Sequence, residues 1–460
     1  MNTLQMAGHL AISRIRNARG HALLDSLAVL AFSVSSWLLL TTMGGVWMFY
    51  GRKSRLSDML YDSYSIPRVD TAQLGGIYMS LAVLALALLI IPLLSLGSSA
   101  ARLGAGGRAK RLASLRLIGL TAGQINVMTL VETMIQGLVG FAIGLIVYLV
   151  SLGGWSQVTF TTLNIRAGEM MLPWWGFLIA IGLITLITLG STLVGLRRVA
   201  ISPLGVARRE TPKALKYWRV IGIVVVLPAL VVSMRATKGN IVISSLFFMM
   251  LFLTISIAGP LFIQMATRPL VRTASPAKLL GVRRVLDDPR AAWRNISAIS
   301  LMALIASIVV FGISITLSGN APDPTIGNLR LILISDITKG VTIALAFALI
   351  LGATSTLIHQ AADVFDRADE SLALTKMGLS RGVLLKARLW QVVPPLLLML
   401  GVTIGVGAIL GLATGNTPRP ENYTMLMWVV RVGITLTVAA VVATVPIQAR
   451  ILSHHSRKND

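Results

Sequence analysis

A polytopic, all-α membrane protein with about ten transmembrane helices is the fold this sequence predicts, and three observations predict it. Apolar runs long enough to cross a bilayer recur along the 460 residues. Charged residues make up only 13% of the chain, about half the share a soluble surface needs, and mean hydropathy is +0.79. Lys and Arg also concentrate in alternate segments between the runs, as they do when a chain threads back and forth across a membrane.

The runs fall at 23–49, 74–97, 126–152, 172–196, 220–234, 241–265, 296–317, 340–358, 389–412 and 425–447. About 20 helical residues cross the hydrocarbon core. Backbone groups in lipid must bond within their own segment, which leaves helices as the reading for runs of this length. Residues 1–22 precede the first run and carry Arg14, Arg16 and Arg19. Leu4, Gly8, Ala11 and Ile15 share one helical face, so this segment fits either an interfacial helix or a solvated basic tail. The first run is too long for a signal-peptide core and is expected to remain as an anchor. The fifth run is the shortest and contains Pro228. The ninth contains Pro394–Pro395, which lack the amide hydrogens a helix interior uses, so a kink or broken first turn is expected there.

The net charge of +24 raises the question of nucleic acid, and its distribution answers it. With ten spans and the N-terminus inside, 30 of the 41 Lys and Arg lie in inner segments. That asymmetry orients the chain as a multi-pass plasma-membrane protein with both termini cytoplasmic, including the tail 451–460. The basic segments then lie against anionic lipid, and no basic domain separate from the membrane is left for nucleic acid. Absence of cysteine excludes disulfides and thiol chemistry. No Gly–Lys pair occurs, so a Walker-type phosphate loop is absent. His454–His455 stand together in the tail and read as solvated. No catalytic residue and no metal ligand is expected.

The chain repeats itself at an offset of 259 residues. RLASLRLIGLTAGQI (111–125) aligns with SLALTKMGLSRGVLL (371–385), placing Leu115 on Leu374, Gly119 on Gly378, Thr121 on Ser380 and Gly123 on Gly382. Glycine suits a helix C-terminus because it takes the left-handed conformation at little steric cost. Thr or Ser two residues later can cap the next helix. Each copy therefore predicts a short inner helix, a tight turn and entry into a span. In the first copy Leu112, Leu115 and Gly119 share a face, with Arg108, Lys110, Arg111 and Arg116 around it. The second copy is acidic at matching places, through Asp363, Asp366, Asp369 and Glu370.

A basic segment running into L-x-x-x-G-[L/A]-[S/T] between the first two helices of a three-helix unit resembles the FtsX-like permease domain of ABC transporters. The pattern occurs twice, around spans 2–4 and 8–10, in a ten-helix plan similar to bacitracin-efflux permeases. SPLGVARRE (202–210) resembles actinobacterial members. Unlike bacitracin-type relatives, the chain has only about 318–339 between spans 7 and 8; unlike MacB-like ones, it has only about 51–73 after the first span. No large extracellular domain is therefore expected, which puts extracellular ligand capture in doubt. The resemblance implies a first half over 23–219 with unit 1, central helices over 220–338, and unit 2 over 339–450. It also implies that Arg111, Leu112, Leu115, Arg116, Gly119, Leu374, Lys376 and Gly378 form coupling elements docked on a separate ABC ATPase, in two copies. ATP and Mg would be held by that partner, with no cofactor in this chain.

Two function classes follow. One is a permease subunit that expels an amphipathic or lipophilic compound (antimicrobial peptide, drug or lipid). The other is a mechanotransmitter that moves no substrate and instead activates an extracellular hydrolase or signals to a sensor kinase. Polar groups inside spans are costly, which singles out Glu132 in span 3 and its offset partner Gln391 in span 9. Asp25 reads as interfacial. Small residues four apart let membrane helices approach closely, so Gly140 and Gly144, and Gly401 and Gly405, are expected at helix contacts. The amphipathic stretch 275–294, with Leu279, Val282 and Leu286 at helical spacing, either supports the ATPase contact or floats on headgroups.

Overall fold

The computed structural model describes residues 22–64, 74–117, 121–161, 163–200, 225–229, 232, 241–312, 324–413 and 420–449. Helices dominate. The first half comprises α1 (Ala22–Arg52), α2 (Leu56–Tyr64), α3 (Leu74–Leu117), α4 (Ala122–Ser151), the short α5 (Ala167–Met170) and α6 (Trp174–Ala200). The second comprises α7 (Ile241–Thr267), α8 (Pro276–Asp287), α9 (Pro289–Gly312), α10 (Pro324–Asp366), α11 (Ala368–Lys376), α12 (Arg381–Ala413) and α13 (Pro420–Ala443).

Among the described residues, seven helical segments are long and apolar enough to cross a membrane: Asp25–Arg52, Val127–Gln157, Met249–Val271, Pro289–Ile308, Leu331–Asp366, Arg381–Leu410 and Leu426–Ala449. Shorter apolar helices at Leu74–Ile90 and Trp174–Gly190 stand at the second and fourth expected spans. The fifth expected span lies mostly outside the described residues.

Each half is built around one leading helix. Helix α1 packs on α3, α4 and α6; α9 packs in the same way on α10, α12 and α13. The halves meet where α3 and α1 pack on α10. Two buried cores result: one, centred on Phe32, Leu38 and Tyr148, reaches into the second half through Met302, Leu351 and Leu426, and the other is centred on Phe252, Trp293 and Met399.

Glycines set the closest helix contacts. A Cβ on Gly140 would lie 2.4 Å from the Phe32 Cβ, and one on Gly144 would lie 2.6 Å from the Ser33 carbonyl oxygen. Only hydrogen at these positions lets α4 reach α1. Gly401 and Gly405 behave otherwise: no described atom lies within 4 Å of a Cβ at either one. In α12 the close approach falls instead at Gly407, against Ser307 and Ile308 of α9. Gly407 is 263 residues after Gly144, one helical turn beyond the repeat offset, so the two halves use equivalent contacts in shifted register.

Three further expectations change. The inner stretch of the first copy is no separate short helix; α3 runs without interruption over 44 residues to Leu117, since nothing in SSAARLGAGGRAKRLASLRL forbids helical backbone. Only the second copy has a distinct short helix, α11, set off from α10 at Arg367. Helix α12 continues unbroken through Pro394 and Pro395, as membrane helices tolerate when neighbours satisfy the freed groups. A two-stranded hairpin, β1 (Thr159–Phe160) with β2 (Leu163–Asn164), follows α4 where the sequence gave no strand signal.

Candidate functional site

The two joints sit at the end of the bundle opposite the hairpin. In the first, Thr121 caps α4: its hydroxyl accepts from the Gln124 amide at 3.3 Å, and the Gln124 side chain accepts from the Thr121 amide at 3.0 Å. This reciprocal capping box satisfies two of the helix's free donors. The side chains of Arg111, Leu112, Leu115 and Arg116, and all of Gly119, lie outside the described residues.

The second joint is described throughout. Gly378 has φ +92°, the left-handed region that glycine enters at least cost. Its amide donates to the Thr375 carbonyl, and that of Leu379 donates to Leu374, both at 3.0 Å. This pair of bonds is a Schellman closure of α11. Three residues on, the Val383 amide donates to Ser380 Oγ at 3.4 Å. Leu374, expected on a docking face, is half-buried, whereas Lys376 is exposed and Met377 is 73% exposed. Among the described residues, Met377 is thus an apolar side chain of this joint that is open to a partner, and pattern matching passed over it because the repeat aligns it with Ile118.

Behind this joint lies a network of partly buried charge around the buried Arg284. Arg284 of α8, 4% exposed, pairs with Glu370 of α11 at 3.0 Å. Arg367 donates to Asp363 at 2.7 Å and approaches Glu370 at 3.6 Å. Burial alone would lower the Arg367 pKa, but the carboxylates of Asp363, Glu370 and Asp287 outweigh it and hold the value above normal. Gln391 donates to Asp363 at 3.5 Å, and Arg388 donates to Thr444 at 3.1 Å. The acidic character of the second copy thus has a physical use. It receives Arg284 of α8 and Arg367 at the α10–α11 junction, and so ties α11 to α8 and α10.

Helix α8 is correspondingly no floating element. A Cβ on Gly281 would lie 2.4 Å from the Ala387 carbonyl oxygen of α12. Gly281, Val282, Arg284 and Val285 are buried, while Leu279 and Leu286 are only half so. Lys278 lies 5.1 Å from the centre of the Trp390 ring, within cation–π range. In the first half, Glu132 is half-buried. One turn later Gln136 donates to Asp25 of α1 at 3.0 Å, so Asp25 links two helices rather than merely marking an interface.

Residues 99–204 match the family model described as FtsX-like permease C-terminal. The match takes in the C-terminal part of α3 and all of α4 and α6, and includes the first copy of the repeat. It supports a permease component of an ABC-type system. No curated protein and no solved structure matches the chain.

At the other end of the bundle the hairpin crosses between the halves. Asp336 of α10, 2% exposed, accepts from the Tyr78 hydroxyl of α3 at 2.7 Å and from the Thr161 amide of the hairpin at 2.6 Å. Lys339 pairs with Asp336 at 3.4 Å and donates to the Thr159 carbonyl at 3.0 Å. Arg52, 5% exposed, donates to the Asn164 carbonyl at 3.1 Å and pairs with Glu169. Thr161 is held at φ +53°, an unfavourable conformation for a β-branched residue. The bond from its amide to Asp336 offsets that strain. Sequence reasoning left Asp336 in a loop because the apolar run starts only at 340. The one available signal was its i, i+3 spacing from Lys339.

Below the hairpin lies a cavity of about 320 Å³, walled by α1, α3, α7, α9 and α10 and covered by Phe160, Ile165 and Met170. It falls between the two halves.

Proposed function

We propose that this chain is the permease subunit of an ABC-type complex, driven by a separate ATPase, and that it expels an amphipathic or lipophilic compound across or out of the membrane. The observation that carries this reading is the doubled joint. In each half one helix runs to the joint and a hydroxyl-capped helix leaves it and packs on the leading helix of its own half; the turn itself is described only in the second half. A partner that pulls on both joints would shift α4 and α12 relative to α1 and α9, and would thereby work the cavity between the halves. ATP and Mg belong to that partner. The similarity of residues 99–204 to an FtsX-like permease segment supports the assignment of partner class. A mechanotransmitter that moves no substrate needs the same joints. The cavity favours transport, because pure mechanical signalling has no use for an apolar cavity between the halves.

Two joints in one chain call for two ATPase subunits. Native mass measurement of the gently extracted complex is expected to show one permease with two Walker-motif chains; a permease without them would overturn the proposal. The orientation is proposed from charge alone, with both termini cytoplasmic. In a chain with no native cysteine, Tyr61→Cys in α2 is expected to react with an impermeant thiol reagent on whole cells, and Met377→Cys is expected to resist it. The reverse pattern would invert the topology.

A further inference from the structure

We infer that the cavity between the halves is a binding site for one extended apolar chain of acyl type. Four of its polar lining side chains already have partners. Thr41 and Thr42 turn their hydroxyls back to the carbonyls of Trp37 and Leu38, presenting methyl groups. The Tyr78 hydroxyl is bound to Asp336. Asp336 in turn is engaged by Tyr78, Thr161 and Lys339. A polar or charged ligand would therefore find no free partner among these groups, and burying its own polar groups unpaired is unfavourable.

The shape is that of a chain. Lining residues run from Tyr78 to Leu89 in α3 and from Asp336 to Phe347 in α10. At 1.5 Å per residue each stretch is roughly 16 Å long. A volume of about 320 Å³ spread over that length is long and narrow, at the lower end of the usual range for ligand pockets.

The space is also kept open by residues with no other evident use. Gly45 of α1 and Gly340 of α10 both line it. A Cβ on Gly45 would meet nothing within 4 Å, and one on Gly340 would meet only the Phe160 ring at 3.9 Å. Gly140, Gly144 and Gly407 are filled against by a neighbouring helix; these two are not. Glycine weakens a helix relative to alanine, and at these two positions no helix contact compensates. What the missing side chains leave is room.

The binding step does not depend on the permease reading; only the fate of the chain afterwards does. The full chain is placed in nanodiscs without any ATPase. Two probes are compared under ultraviolet light: phosphatidylglycerol with a diazirine in one acyl chain, built into the bilayer, and diazirine-bearing palmitic acid, added from solution. Adducts are expected on cavity residues such as Leu81, Ala85 and Ala344. They should fall at least fivefold in the Gly45→Leu/Gly340→Leu double variant, which has space for both side chains and should retain the wild-type Tm. Labelling by the phospholipid alone assigns the chain to a bilayer lipid. Labelling by palmitic acid that competes with the phospholipid assigns it to a free amphiphile. Adducts confined to outward-facing positions such as Leu186 and Leu246, unchanged in a double variant of normal Tm, would overturn the site. If the double variant melts early, Ala344→Phe alone replaces it, with the same criterion. Because no ATPase is present, a failed labelling experiment leaves the proposed coupling standing, and a missing ATPase partner leaves the site standing.

Discussion

Gly144→Leu is expected to detach α4 from α1 and to lower the Tm of the purified protein by roughly 3 °C or more. A Cβ there would lie 2.6 Å from the Ser33 carbonyl oxygen, 2.7 Å from the Ser36 Cβ and 2.9 Å from the Trp37 amide nitrogen. Two of these three are backbone atoms, which cannot swing away as a side chain can. Relief must come from a shift of the whole helix, and overpacking of this kind costs about 3 kcal/mol or more. The effect should be specific to the contact. Gly182→Leu, in α6, is the control, since nothing lies within 4 Å of a Cβ at that position. Equal Tm values for the two variants would show that Gly144 does not set the approach of these helices.

Gly378→Val is expected to leave the ATPase bound but to reduce coupled activity tenfold or more. Valine at φ +92° costs about 1–2 kcal/mol, so the turn would relax and lose the bonds from Gly378 and Leu379 back to α11. The face presented to the partner would survive while the stiff connection to α12 would not. Met377→Asp should do the opposite. It places a charge on the 73%-exposed side chain nearest the joint, and should weaken assembly without touching the turn. Gly382→Ala supplies the internal control, because its nearest neighbour is the Ser380 hydroxyl at 4.0 Å and its backbone is not left-handed. Activity in Gly378→Val as high as in Gly382→Ala would remove this joint from the transmission path. The Leu374→Asp change suggested by the repeat is a poorer probe. Leu374 is half-buried, so that substitution would disturb the seating of α11 as well as any docking.

The buried charges explain why the two copies of the repeat differ. In the second copy Asp363 and Glu370 receive Arg367 and Arg284, so the acidic sequence there is matched by one arginine at the α10–α11 junction and one of α8. Removing one partner from such a buried pair is more damaging than never having had the pair. The two joints should therefore not be interchangeable between halves.

Features that depend on contiguous residues were legible in the sequence. The all-α membrane class, nine of the ten helical runs, the Thr121 cap and the left-handed glycine at Gly378 follow from hydropathy, capping chemistry and backbone sterics, which act within a few residues of one another. Features that depend on what faces a residue were not. The sequence does not tell Gly144, Gly401 and Gly340 apart by what lies beside them: the first two stand in equally good pairs of glycines four apart, and the third opens an apolar run. One lets two helices touch, one has open space beside it and one leaves a cavity. Asp336 likewise looked like a loop acid until α3 and the hairpin converged on it from 258 and 175 residues away. Local energetics fix which segments become helices. Only the packing of those helices decides whether the space beside a glycine is filled by a neighbour, by lipid or by nothing.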